Sequence, residues 1–424
     1  MSQESTTRNT SVIWLLMGIL FTNIGNAVHI LTLAKWTYDL TGSSKVFGGA
    51  LAFEQLAGFG MGIIAGPIVD RLSPIKAVVW IDLIRGVLVT IVGLLTLYFP
   101  SIGLVYWMIL AIQMGKPFYK SGLFALEIHL VPETIRTNYN ARTVSFMQIG
   151  ALSGVWLAGF LISRSEVQWG FVINGISFIG SAISLSIAER INGDDILITT
   201  TSEFDRGLKP YWLKATQVIF EEWASAFRLL NKKKDLAVAI ILNSFDTALP
   251  QIFNVLLIPL VALKLKNEVF WISGLDSSFS IGAGIAGFAI GGWINKNGIR
   301  FGVCLGLGLQ AISLILLWFF DHSLFIAISC ACFGIFNTIS WTSWQTWLQR
   351  QLSREDRGKV AILRHMSNSA LTALCVLIAG FLAIKGTHLI IVFAALCAFC
   401  AFSGSLLFFR EGSVNSLRVK RGIN

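Results

Sequence analysis

Apolar residues occur in runs of about 20, each long enough to cross roughly 30 Å of hydrocarbon as a helix. The runs fall near 12–34, 46–69, 77–98, 102–126, 141–162 and 169–188, then 236–263, 269–294, 301–320, 323–348, 360–384 and 388–409. The pattern predicts an all-α membrane protein with twelve transmembrane helices. One long polar stretch interrupts it, which divides the chain into an N-terminal six-helix bundle (1–189), a linker (190–235) and a C-terminal six-helix bundle with a basic tail (236–424). Inside the linker, Trp212, Ile219, Trp223, Phe227 and Leu230 recur at helical spacing, with Lys214, Arg228 and Lys232 to Lys234 toward the other face or the end. That reads as an amphipathic helix on the anionic inner leaflet, tethering the halves. The first apolar run is too long for a cleavable signal and lacks a small-residue cleavage site.

The two halves repeat one another. Between the second and third runs lie Gly66, Asp70, Arg71, Ser73 and Lys76; between the eighth and ninth lie Gly291, Asn295, Lys296, Gly298 and Arg300, with the same offsets of four, five and seven after the first glycine and a basic residue closing each. The segment AGFL occurs at 158–161 and again at 379–382, and Arg136 and Arg357 share that shift. A period of half the chain signals an internal duplication, so the two bundles are expected to be pseudo-symmetric. Asp70, beside Arg71, has the chemistry to bond helix N-terminal amides and basic side chains at the membrane surface. These loop residues are therefore candidates for a conformational latch between the bundles. Asp82 and Arg85, three apart on the third helix, are expected to pair and to brace the first loop.

With 54% hydrophobic and 13% charged residues and a mean hydropathy of +0.70, the chain needs lipid around it. The net charge of +10 is distributed unevenly. The odd loops hold only Lys35, Lys45, Arg164, Lys264, Lys266 and Lys385, whereas most of the other Lys and Arg lie at the termini and in the even loops. The positive-inside rule then puts both termini in the cytoplasm, and the basic charge is a topology signal with no call for nucleic acid. All six cysteines fall within expected helices and read as small buried hydrophobes, and Cys397 and Cys400, with no His or carboxylate nearby, make a poor metal or redox site. No phosphate-binding loop, zinc pattern or nucleophile elbow is present, so neither an enzyme nor a cofactor or bound metal is expected, and any transport must draw on a gradient.

Charges inside the bilayer are costly and normally face a cavity or a partner. Glu54, in the second helix, and Asp246 and Asp276, in the seventh and eighth, are the candidates for reversible protonation, with a structural ion pair as the alternative for each. Glu54 has no basic residue within a turn on its own helix, which favours it. Lys116 and Lys120 share a face of the fourth helix beside Pro117; as they repel, an acceptor must lie nearby, either Glu127, Asp82 or an anionic substrate. Asn23, Asn26 and His29 form a stripe suited to a polar cavity wall, with a hydrogen-bonded structural role as the plainer reading of His29. Trp341, Trp344 and Trp347 read as an interfacial belt or as a stacking surface for a planar substrate. Gly150, Gly154, Ala158 and Gly159 form a small-residue stripe for close helix packing.

The loop from Gly66 to Lys76 resembles the loop between helices 2 and 3 of the major facilitator superfamily. The segment from Lys116 to Ala141, with its Pro in the fourth helix, its Val-Pro-Glu and its Asn-Ala, resembles the branch of macrolide efflux pumps and siderophore exporters. The stripe at Gly150 to Gly159 is similar to the helix 5 motif of the superfamily's antiporters, with Val155 in place of its proline. The resemblance implies proton-coupled export of a bulky amphipathic small molecule by alternating access. It also implies a monomer in the bacterial inner membrane whose partners are its substrate, protons and the bilayer. Uptake of a siderophore or other metabolite is the alternative, and a gated channel or a membrane-embedded enzyme is a poorer fit to two latch loops and scattered histidines.

Overall fold

In a computed structural model, residues 3–41, part of 50–62, 74–164, 166–192, 224, 228–265, 270–352 and 357–420 are described, and they are helical apart from short connections. The continuous helices are α1 (Gln3–Thr41), α2 (Pro74–Tyr98), α3 (Ile102–Leu130), α4 (Glu133–Ser163), α5 (Trp169–Asn192), α6 (Lys234–Lys264), α7 (Phe270–Asn297), α8 (Ile299–Phe319), α9 (Ser323–Gln351), α10 (Arg357–Lys385) and α11 (Thr387–Lys420). The described positions between 50 and 62 are also helical, so each expected membrane helix has its counterpart. Ten of the described helices are long and apolar enough to span a membrane. Helix α3 has spanning length but carries Lys116, Lys120 and Glu127.

Local chemistry sets the ends. Ser101 caps α3 by accepting from the Gly103 amide at 3.2 Å, and His322 caps α9 by accepting from Leu324 at 3.3 Å. Gly298 joins α7 to α8 at a φ of 93°, a backbone conformation that side chains disfavour. The second copy of the repeated loop thus ends one helix and opens the next through a single residue. Helix α4 starts at Glu133, behind Pro132, and so well before the expected 141. Its first turns (ETIRTNYN) are too polar for a hydropathy pattern to register, yet Thr137, Tyr139 and Asn140 are buried.

The described chain forms two compact units. Unit 1 comprises 1–132, 146–228 and 353–365; unit 2 comprises 133–145, 229–352 and 366–424. The start of α4 therefore clusters with unit 2 and the start of α10 with unit 1, which no division of the sequence at the linker foresees. In unit 1 the core gathers Leu33, Trp36, Val105, Met108, Phe171 and Phe178. In unit 2 it gathers Leu249, Phe253, Leu256, Leu314, Phe333 and Ala394. Within each unit glycines let helices touch. A Cβ on Gly154 would lie 2.4 Å from the Ile24 carbonyl of α1; one on Gly282 would lie 2.1 Å from the Ala331 carbonyl, and one on Gly334 2.1 Å from the Phe279 carbonyl. The stripe read from Gly150 and Gly154 is thus a packing surface against α1. Large apolar side chains such as Trp156, Phe319 and Leu377 remain exposed, as lipid-facing surfaces require.

Candidate functional site

Unit 1 concentrates charge around α3. Gln113, Lys116, Lys120 and Glu127 recur at intervals of three, four and seven and so share one helix face. Glu54 accepts from Gln113 Nε2 at 2.7 Å and pairs with Lys116 Nζ at 3.2 Å. The favoured protonation candidate therefore has a cation after all, brought from another helix. His29 is buried against Phe171, with ring centroids 5.9 Å apart, and lies within electrostatic reach of Glu54 and Lys116. Its Nδ1 has no hydrogen-bond partner among the described residues. Asn23 and Asn26 are half-buried on the same helix, and Asn23 donates to the Ile19 carbonyl of its own helix at 2.7 Å.

Lys120 has an exposed side chain and lies within electrostatic reach of Lys116, Arg364 and Glu54. Sequence reading missed Arg364 and His365, which α10 brings to this face. Arg364 stacks over Phe124, one turn beyond Lys120 on α3, at 4.7 Å, and has Glu127 within electrostatic reach. His365 lies within reach of Lys120, Lys116 and Arg364. The sequence signal for Arg364 was a basic residue just inside the eleventh apolar run.

A second pair occupies the centre of the unit. Arg85 Nη2 lies 2.5 Å from Asp82 Oδ1, as the spacing predicts. Ser181 of α5 donates to Asp82 Oδ2 at 2.6 Å, and the guanidinium lies 3.9 Å from the Phe178 ring and 4.6 Å from the Tyr119 ring. The partners seen are all in the packed core of α2, α3 and α5, which makes this pair a fixture of the bundle.

Unit 2 holds its acid differently. Asp246 of α6 is 1% exposed, and its Oδ1 accepts from Gln310 Nε2 at 3.0 Å and from Ser340 Oγ at 2.9 Å. Gln310 also donates to Ser340 at 2.7 Å and accepts from Asn337 at 3.3 Å. Oδ2 has no hydrogen-bond partner and no charged group balances the carboxyl among the described residues. Nearby on α6, Ser244 bonds Ser367 at 2.9 Å and Asn368 at 2.6 Å. Asp276 of α7 is accessible rather than sealed, with Cys330 in electrostatic reach. Trp344 is fully buried, stacked at 5.8 Å on Phe409 and edge-on to Trp347 at 5.9 Å. It is part of the aromatic packing between α9 and α11 and not of a cavity wall.

Of the loop residues, Gly66, Asp70 and Arg71 lie outside the described residues, as does most of the amphipathic stretch in the linker, and Lys76 is placed only as part of α2. In the second copy, Asn295, Lys296 and Arg300 are exposed, with Arg300 5.8 Å from the Phe409 ring. Gly291 packs where a Cβ would lie 2.6 Å from Asn138 Cα, so this first residue of the motif serves close approach of α7 to the start of α4. That start is held in unit 2 by Asn140, which donates to Thr346 at 2.9 Å and Gln349 at 2.8 Å, and by Ser145, which donates to the Gly284 carbonyl at 2.6 Å.

Residues 236–422 match the family model of the Major Facilitator Superfamily. Across the whole chain, the structure superposes on that of the proton:xylose symporter XylE with a TM-score of 0.72, covering 96% of each chain at 12% identity. The fold is that of the major facilitator superfamily. A bacterial homologue of the iron transporter ferroportin, in an outward-facing state, shares this facilitator fold at a TM-score of 0.70 and 15% identity, over 94% of this chain and 99% of that one. The human organic anion transporter MFSD10 shares it at 0.65 and 12%, over 96% and 100%. No curated protein has a matching sequence.

Proposed function

We propose that this protein is a proton-coupled secondary transporter that exports a bulky amphipathic small molecule of siderophore or macrolide type, with Asp246 as its proton carrier. The facilitator fold supports secondary transport. The observation that carries the coupling assignment is the contrast between a half-buried acid, Glu54, and a buried one, Asp246. Glu54 is ion-paired with Lys116; among the described residues Asp246 has only dipoles around it and takes up a proton without breaking an ion pair. Asp276, accessible and on the adjacent helix, is the second candidate. Asn23, Asn26, His29, Lys116 and Lys120 supply a polar wall for the substrate in unit 1. Gly66, Asp70, Arg71 and Lys76, with Asn295, Lys296 and Arg300, form the latch that biases the alternating states, in a monomer of the bacterial inner membrane with cytoplasmic termini.

The test is accumulation in proteoliposomes under an imposed pH gradient, with a panel of siderophores and macrolides. Asp246→Asn abolishes gradient-driven accumulation while leaving substrate binding and downhill exchange. If Asp246→Asn still concentrates substrate and Glu54→Gln does not, the proton carrier is Glu54 and this assignment fails.

A further inference from the structure

The charge around α3 does not balance. Lys116 is taken by Glu54, and Arg364 has Glu127 in reach; Lys120 has no hydrogen-bond or ion-pair partner among the described residues, and its side chain is the most exposed of the three. An uncompensated cation inside a membrane protein faces a cavity and marks a ligand path. Three features make this a built site rather than a stray charge. Glu54, itself held by Gln113, keeps Lys116 in place one turn from Lys120, the Phe124 ring holds the Arg364 guanidinium one turn to the other side, and His365 of α10 lies within electrostatic reach of all three cations. Pro117, between the lysines, removes one backbone N–H from the helix ladder and leaves a carbonyl without its usual partner on this turn.

We infer that Lys120, flanked by Arg364, is an oxyanion-binding site, and that the transported molecule carries a carboxylate or comparable oxyanion on an otherwise apolar body. This deepens the transport reading and rests on it. A planar guanidinium and a mobile ammonium within electrostatic reach of each other suit an oxyanion that accepts from both. Glu54 acts on the site as a resident negative charge: it occupies Lys116 and lowers the net positive charge that an incoming anion meets.

Full-length protein in nanodiscs of zwitterionic lipid is titrated with three fluorescent probes of one skeleton: dansylglycine, its uncharged methyl ester, and dansylethylenediamine, which is cationic. Wild type is expected to bind the carboxylate at least tenfold more tightly than the ester. Lys120→Gln removes that preference, Lys120→Arg keeps it, Arg364→Gln reduces it about threefold, and Glu54→Gln increases it. Retained binding of the ester shows that each variant is folded. Equal binding of acid and ester by wild type, including none of either, overturns the site, as does a preference that survives Lys120→Gln. Proteoliposomes separate this from the parent reading. Accumulation of the cationic probe alone leaves a transporter without an anion site, whereas Lys120-dependent binding of the carboxylate without any movement leaves an anion site that is not part of a transporter.

Discussion

The two units descend from one repeated pattern, yet their interiors solve the problem of buried charge in opposite ways. Unit 1 places full charges in pairs: Asp82 with Arg85, Glu54 with Lys116. Unit 2 places a single carboxyl, Asp246, in a mesh of amide and hydroxyl dipoles from Gln310, Ser340 and Asn337. A paired charge is fixed, because losing either partner strands the other in a low-dielectric medium. A carboxyl among dipoles is free to change its protonation, because no counter-charge depends on it. Unit 1 thus carries its interior charge in ion pairs, whereas Asp246 of unit 2 sits among neutral dipoles.

The largest expected effect breaks a pair. Arg85→Leu leaves Asp82 buried and alone and is expected to cost about 3–5 kcal/mol of stability. Most of that is recovered in the double variant Asp82→Leu, Arg85→Leu, measured by thermal unfolding in detergent; if the single variant is as stable as wild type, unit 1 does not depend on its pair. Next come the glycine contacts, which the two units share. Gly154→Val in unit 1 and Gly334→Val in unit 2 are each expected to cost about 1–3 kcal/mol, since each Cβ meets backbone. Gly159→Val, with open space around it, leaves the midpoint unchanged. A loss confined to one unit would mean that the difference between them extends to packing. Smaller still is Gln310→Leu, which removes a donor to Asp246 and to Ser340 and is expected to cost about 1–2 kcal/mol. The smallest is Asp246→Asn, which preserves size and polarity and should move stability by less than about 1 kcal/mol while abolishing gradient-driven transport. A large stability loss there would make Asp246 structural and erase the contrast.

How far the sequence could be read depended on the range of the interaction concerned. The Asp82–Arg85 pair was legible because three-residue spacing on a helix enforces proximity. The glycine stripe was legible because small residues at helical spacing serve close approach whatever the partner. Glu54 looked unpaired because its cation lies on a different helix. Trp344 looked available because helical spacing does not reveal Phe409 stacked on it. The early start of α4 was hidden because its polar residues are buried by other polar residues, which hydropathy scores as loop.

The order and limits of the apolar runs, the duplication and the bias of basic residues were determined by the sequence alone, because the bilayer imposes length and charge rules that act on each segment separately. Tertiary structure alone decided which charges meet across different helices. Lys116 reaches Glu54, Arg364 comes within electrostatic reach of Lys120 from a distant part of the chain, and Asp246 meets an amide and a hydroxyl but no cation among the described residues. Electrostatic partners are chosen by distance in space, and helices far apart in sequence become neighbours only when the bundle packs.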